Sequence, residues 1–524
     1  MKHIKKLASL LLAVVMILAL ATTAFAAPPT SQTFADGNAA DTDGKYTISV
    51  ASTDTHTYTV YQILTGTLVA GESKLGNPAW GSDANATTTY ETVDAFITAI
   101  TVSGLSNQQI NAIAESVLKA NAAGVGSVTK TSSLDVAPGY YLIKDTTATL
   151  NDGDSYSLNI VAVFNDITIA PKKGTTTSDK KVDDNDTDKA ADGSEWIDSA
   201  DYSIGDTVPY KLTATIADDY ANYTHGYKLT FHDNMSAGLT FNPNSVVVKV
   251  GNTTIESGYT VYENKSGTTL PTGMTWGTGE TFMVHFANLK DIASVAAGSV
   301  ISVEFSATLN ENAVITSAGN PNTSHVTYSN NPNDDQAGEN GKTPDDTVIV
   351  FTYKTVFTKK DGSNNTLTGA DFKLEKNTGT AASPAWTDVT ELHTGTGAKN
   401  PTKTGDSTGY TFTFAGLDAG DYKLTETTTP VGYNTIDPIE FTITATHDIL
   451  SDNPTLTALT GTDGSSFNMT RVSNSAELDA DVINQQGSVL PTTGVIGTTI
   501  FYVTGAVLAL GAGILLITKR RMRR

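Results

Sequence analysis

The sequence predicts an all-β protein built of tandem β-sandwich domains, and three observations carry that prediction. Most of the body consists of short runs alternating apolar and polar residues, such as Val208-Pro209-Tyr210-Lys211-Leu212-Thr213-Ala214-Thr215-Ile216. That is the period of a strand with one buried face. Clusters of Gly, Asn, Asp and Thr punctuate these runs as turns. Within the body a helical period surfaces around Val93 to Ala123, where Phe96, Ile97 and Ile100, then Ile110, Ile113, Val117 and Leu118 recur at three- and four-residue spacing.

Taken in order, residues 1–26 read as a secretory signal peptide. Lys2, Lys5 and Lys6 precede an apolar run from Leu7 to Ala21, and Ala24-Phe25-Ala26 supplies a small-x-small cleavage site that leaves Ala27 first. The chain is therefore expected to be exported. It has no cysteine, which excludes disulfides, cysteine-held metals and thiol catalysis. Formal charge is −22; three positive charges in the leader and five after Gly494, unbalanced by any acid there, take the mature body to near −30. So acidic a surface excludes nucleic acid as an expected partner. The roughly 465 residues between the two ends suggest about three domains.

The first domain is expected over 27–170, with strand-like runs at Tyr46–Val50, Tyr58–Ile63, Gly139–Ile143 and Ile160–Phe164. Residues 171–178, Pro171-Lys172-Lys173-Gly174-Thr175-Thr176-Thr177-Ser178, form a linker. Two further sandwich domains are expected over 179–354 and 355–489. Leu490-Pro491-Thr492-Thr493-Gly494 then precedes 24 uncharged residues, 495–518, and a basic tail over 519–524. At about 1.5 Å per residue the apolar stretch reaches roughly 36 Å as a helix, enough to cross a bilayer core. The basic tail would stay on the cytoplasmic side.

The pentapeptide, span and basic tail, in that order, resemble the LPXTG sorting signal of Gram-positive surface proteins. The resemblance implies that a sortase cysteine attacks the Thr493 carbonyl and releases the Gly494 tail, leaving an acyl-enzyme for an amine to resolve. The run Tyr58-x-x-Tyr61-Gln62-Ile63-x-x-Gly66-x-Leu68, followed by Trp80-Gly81, resembles the amino-terminal domain of Gram-positive backbone pilins. In that family the receiving amine belongs to a Tyr-Pro-Lys-Asn motif at the end of the first domain. Pro171-Lys172 matches it, with Ala170 and Lys173 in place of the tyrosine and asparagine. Lys172 is thus the implied acceptor, and Lys173 stays open.

The stretches Asp179-Lys180-Lys181-Val182, Leu229-Thr230-Phe231-His232-Asp233 and Val326-Thr327-Tyr328-Ser329-Asn330-Asn331-Pro332 resemble the collagen-adhesin A-type, immunoglobulin-like domain of pilins. The resemblance implies an intramolecular Lys–Asn isopeptide bond among Lys180 (or Lys181), the acid Asp233, and Asn330 (or Asn331). Strand alternation favours Asn330, which shares a face with Val326 and Tyr328. In the third domain, Val356-Phe357-Thr358-Lys359 and Tyr422-Lys423-Leu424-Thr425-Glu426-Thr427-Thr428-Thr429-Pro430 resemble the opening and the E-box of a collagen-adhesin B-type module. Thr429 stands where alanine is usual. The implied set is Lys359, Glu426 and Asn484. Such a bond needs a neutral lysine and a protonated acid, and burial moves both groups that way.

The expectation is a structural backbone subunit of a covalent cell-surface pilus, joined through Thr493 to Lys172 of the next subunit and held at the cell wall. The partners implied are a class C pilus sortase, a housekeeping sortase, further copies of the chain, minor pilins and peptidoglycan. The rival is a monomeric wall-anchored adhesin or stalk of the same modules. No His-Glu-x-x-His or phosphate-binding loop occurs, so neither an enzyme nor a cofactor is expected. Asp184, Asp186 and Asp188 have calcium-loop spacing with Glu195 at the twelfth position. Lys189 replaces the required glycine, so a solvated acidic loop is the reading.

Overall fold

A computed structural model of the chain describes residues 44–69, 75–103, 105, 107–151, 153–169, 175–184, 195–332, 340–380, 382–389, 402–464, 467–487 and 493–522. Signal-peptide residues 1–26, linker lysines Lys172 and Lys173, acidic-loop residues 185–194, and Leu490, Pro491 and Thr492 lie outside the described residues. The remainder is mostly strand.

Residues 44–169 form a three-stranded sheet, ordered Leu134–Val136, Tyr46–Val50, Ile167–Ile169, and a five-stranded one ordered Leu75–Trp80, Tyr58–Leu68, Gly139–Asp145, Leu158–Val163. The fifth strand, Gly126–Val128, also pairs with Tyr58–Leu68. Alternation along Gly139–Asp145 explains the layering. Tyr141 and Ile143 pack with Tyr46, Ile48 and Tyr58 towards the small sheet. Leu142, between them, packs with Phe96, Ile110 and Val117 on the opposite face. That second face is covered by helices α1 (Val93–Ile100) and α2 (Asn107–Ser116). The Thr92 hydroxyl caps α1 by accepting the Ala95 amide at 3.2 Å. The expected helical patch is therefore two helices, with Val117 and Leu118 beyond the second.

Residues 175–351 form two facing sheets. One is ordered Trp196–Ile197, Thr177–Asp183, Thr207–Thr215, Val300–Leu309, Leu239–Val250, Thr253–Ile255. The other is ordered Ser199–Asp201, Asp346–Phe351, Asn320–Ser329, Leu229–Met235, Phe282–Phe286, Thr260–Glu263, with Asn340–Lys342 also on Asn320–Ser329. Between them lies an aromatic core in which Phe241 stacks on Phe282 at 3.9 Å and Tyr210 on Phe305 at 5.3 Å.

Residues 353–484 make a continuous ten-stranded sheet folded around its own core of Phe357, Phe372, Phe412, Phe414, Tyr422 and Phe441. Its first strand, Tyr353–Asp361, runs parallel to its last, Glu477–Asn484, and hydrogen-bonds to it along its length. A third helix, α3 (Thr493–Arg521), contains the apolar stretch and ends in Lys519, Arg520 and Arg521. By length and composition its Val503–Arg521 part is able to cross a membrane.

The second and third units meet without a linker, because Thr352 alone separates strand Asp346–Phe351 from Tyr353–Asp361. Asp201 is buried at this joint. The Tyr353 hydroxyl donates to its Oδ2 at 2.6 Å, and burial followed by repulsion from Asp418 pushes its carboxyl well above the ordinary range. Nearby Asp206 is pushed up to about 6, by burial and then by Asp418. A carboxyl whose folded pKa exceeds its unfolded value adds most stability below the unfolded pKa, and this is lost as pH rises through the folded one. Thermal unfolding of the secreted chain should thus show the joint weakening from about pH 4 upward through 6, by on the order of 2 kcal/mol for Asp206. In Asp206→Asn that part of the pH dependence should disappear; an unchanged profile would show that Asp206 does not control it.

Candidate cross-link sites and sorting signal

In the third unit, strand alternation turns Tyr353, Thr355, Phe357 and Lys359 inward. Lys359 is fully buried. Its Nζ donates to the Val482 carbonyl at 2.8 Å and to that of Lys360 at 3.2 Å. The parallel register pairs Lys359 with Val482 and Asp361 with Asn484. Lys359 and Asn484, both fully buried, are therefore one pleat apart on the same inner face. The Asn484 Nδ2 donates to Glu426 Oε1 at 2.8 Å and Oε2 at 3.1 Å, while Asn484 Oδ1 has no hydrogen-bond partner among the described residues. Glu426 is oriented by the Ile436 amide at 3.1 Å. The Thr429 hydroxyl, at the position where the E-box departs from its usual alanine, also donates to Glu426, at 3.3 Å. Burial lowers the Lys359 amine to about 8 against the opposing pull of Glu426.

In the second unit Lys180 and Asp233 are buried from opposite sheets, and Lys180 Nζ lies 2.5 Å from Asp233 Oδ2. The amine sits 5.6 Å from the ring centres of both Tyr210 and Phe305. Burial lowers Lys180 and raises Asp233, each outweighing the attraction of its partner. The two shifts favour the neutral amine and the protonated acid. Lys181 differs: its amine contacts Asp198 at 2.5 Å and Asp179 at 2.9 Å. Partial burial opposes its charge, but those carboxylates hold its pKa above the usual value.

The structure does not bring Asn330 to this pair. Register sets Asp233 opposite Ser324 and Met235 opposite Asn322. Asn330 is six positions beyond Ser324, roughly 20 Å along the strand direction at about 3.3 Å per residue, and Asn331 is one further. The Asn330 carbonyl instead accepts the Tyr156 amide from the first unit at 2.9 Å. The residue beside Asp233 is Asn322, fully buried, whose amide counteracts the upward shift of that carboxyl. Among the described residues, neither amide atom of Asn322 completes a regular hydrogen bond, nor does Asp233 Oδ1. Alternation is satisfied equally by Asn322 and Asn330, since both share parity with Val326 and Tyr328. Parity therefore could not choose between them; the register with Leu229–Met235 does.

Of the sorting signal, Thr493 and Gly494 open α3. The apolar helix with its basic end thus follows tandem sandwiches that hold buried Lys–acid–Asn clusters. Residues 204–332 match the Gram-positive pilin backbone subunit 2, Cna-B-like domain, residues 354–454 the Prealbumin-like fold domain, and residues 483–522 the LPXTG cell wall anchor motif. By this domain content the chain is similar to the Gram-positive backbone pilins over its second unit and its anchor. The model matching the second unit is described as Cna-B-like, where an A-type domain was expected.

The Trypsin-resistant surface T6 protein of Streptococcus pyogenes serotype M6 is 26% identical over 381 residues, 61% of this chain. The alignment spans 65% of that relative's length. Among solved structures, the T6 backbone pilin of serotype M6 Streptococcus pyogenes matches 85% of this chain and 98% of its own, at 18% identity and TM-score 0.47. The major pilin SpaD of Corynebacterium diphtheriae matches the same shares, at 19% and 0.46.

Proposed function

We propose that this chain is the repeating subunit of a covalent pilus, joined head to tail by sortase from Thr493 to Lys172 of the next copy. The observation that carries the reading is the presence of a pilin-backbone domain and a cell wall anchor in one chain. A head-to-tail contact of this kind does not close on itself, which is the symmetry of a filament. A pilus sortase would perform the polymerisation and a housekeeping sortase the final transfer to peptidoglycan, with minor pilins added by the same chemistry.

Each buried cluster would supply one intramolecular isopeptide bond. The neutral Lys359 Nζ attacks Asn484 Cγ, forming the Nζ–Cγ bond, while Glu426 relays a proton to the departing Nδ2. The Cγ–Nδ2 bond breaks and ammonia leaves. Lys180, Asp233 and Asn322 would do the same in the second unit. Preorganisation of this kind can supply about 7–11 kcal/mol of the barrier. Each reaction occurs once, so the chain modifies itself without turning over. In the third unit the bond would tie the first strand to the last, so a pulling force would run through the cross-link without peeling the sheet.

The test is a denaturing gel of cell-wall extract, blotted for this chain, with wild type beside Lys172→Ala. The expected result is a ladder of boiling-resistant multimers that collapses in the variant. A ladder that survives moves the acceptor to Lys173 or elsewhere. A single wild-type band in cells expressing a pilus sortase overturns the polymer and favours the monomeric adhesin, the reading that the departures at Ala170 and Lys173 support.

A further inference from the structure

The outer face of the second unit's larger sheet carries a cluster that the cross-link chemistry does not use. His232 and His325 are a direct cross-strand pair on the adjacent antiparallel strands Leu229–Met235 and Asn320–Ser329. Their rings stack at 4.7 Å with 12° between planes. Glu280 approaches from the turn before Phe282–Phe286, the strand on the other side of Leu229–Met235. One ligand atom from each of His232, Glu280 and His325 lies within 4.8 Å of the other two. We propose that His232, Glu280 and His325 form a binding site for a divalent transition metal of the zinc type, clamping three neighbouring strands.

The donor chemistry suits such an ion. Two imidazoles and one carboxylate are a recurrent set for zinc, which leaves a fourth position for water or an incoming ligand. Calcium and magnesium prefer oxygen donors alone and are disfavoured by two imidazoles. The surrounding groups orient the ligands as metal sites require. On His232, Nε2 meets the Thr327 hydroxyl at 2.8 Å, and Nδ1 faces Glu280 Oε1 at 2.8 Å. On His325, Nδ1 meets Asp345 at 3.1 Å, leaving Nε2 for coordination. Glu280 is steadied through its other oxygen, which accepts the Gly277 amide at 2.7 Å, so Oε1 is the oxygen presented.

The side chains of the three are largely buried, at 11%, 7% and 21% exposed. Lys342 is a nearby cation, and Asp345 pairs with it at 2.9 Å. Ligand distances of about 2.0–2.2 Å need donor atoms closer together than 4.8 Å, so binding would draw the His325 imidazole towards the His232–Glu280 pair. Coordination would then replace the His232–Glu280 hydrogen bond by two bonds to one ion.

The experiment is calorimetric titration of zinc chloride into the chelator-treated secreted chain, alongside a His232→Asn/His325→Asn double variant whose folding is checked by circular dichroism. The expected result is saturable binding of one zinc per chain, weakened at least about a hundredfold in the double variant, and unaffected by millimolar calcium. Cobalt substitution should give the visible absorption of a four- or five-coordinate nitrogen–oxygen site. Glu280→Gln, which keeps the shape, should weaken binding while leaving the metal-free unfolding temperature near that of wild type. Absence of saturable binding, equal binding by the double variant, or displacement by calcium would each overturn the assignment.

Discussion

Replacing Glu426 by glutamine is expected to leave the third unit uncross-linked, so that intact-mass measurement finds the ammonia that the wild type loses there still present. A glutamine amide fits the same space and can still hydrogen-bond to Asn484. It cannot carry the proton that must travel from the attacking Lys359 amine to the departing nitrogen, which is the step assigned to a general acid–base. The effect on stability should be large. A bond between Lys359 and Asn484 closes a loop of about 125 residues, and by analogy with a disulfide such a loop is worth about 4–5 kcal/mol. For a unit of this size the loss corresponds to a fall in its unfolding temperature on the order of 15 °C. Lys359→Ala should produce the same missing bond, with the further cost of an emptied buried site. A Glu426→Gln chain with the full wild-type ammonia loss would remove Glu426 from the chemistry. A wild-type chain without any loss would remove the cross-link itself.

The second large effect separates two asparagines. Asn322→Ala should abolish the cross-link of the second unit, whereas Asn330→Ala should leave the mass deficit intact. Without its bond, the Lys180 amine and the Asp233 carboxyl stay buried between Tyr210, Phe305 and the opposing sheet, where burying the two unreacted polar groups costs stability. The closed loop is slightly longer than in the third unit, so a similar 4–5 kcal/mol is at stake. Tryptic peptides supply an independent readout: a branched peptide joining the Lys180 segment to the Asn322 segment in wild type, lost in Asn322→Ala. A branched peptide containing Asn330 would overturn the reassignment. Proteolysis adds a check, because a sandwich tied shut should resist cleavage at temperatures where the variant opens.

Much of this protein was legible without a fold. The mean strand period, the helical patch, the apolar span and the sorting signal are local, each confined to a few tens of residues. Lys359, Glu426 and Asn484 could be singled out from the short signatures of the E-box and the closing strand, and in the structure the Asn484 amide donates to Glu426. Thr429 was visible as a departure, but its hydroxyl bond to Glu426 was not. The choice of Lys180 over Lys181 was left open by the sequence. The fold turns the first to Asp233 and the second to Asp179 and Asp198.

What the sequence by itself determined is the kind of element at each place and the kind of chemistry a buried lysine, acid and amide can perform. Periodicity and side-chain type are properties of neighbouring residues, and no tertiary contact is needed to read them. The tertiary structure alone decided which groups meet. Asn322 and Asn330 have the same parity on one strand, and only the register with a strand about 90 residues earlier sets Asn322 beside Asp233. The same register stacks His232 on His325, two residues that nothing local connects. Strand pairing is a long-range choice, made by the burial of whole faces at once, and a shift along the strand would leave every local pattern intact while changing each partner.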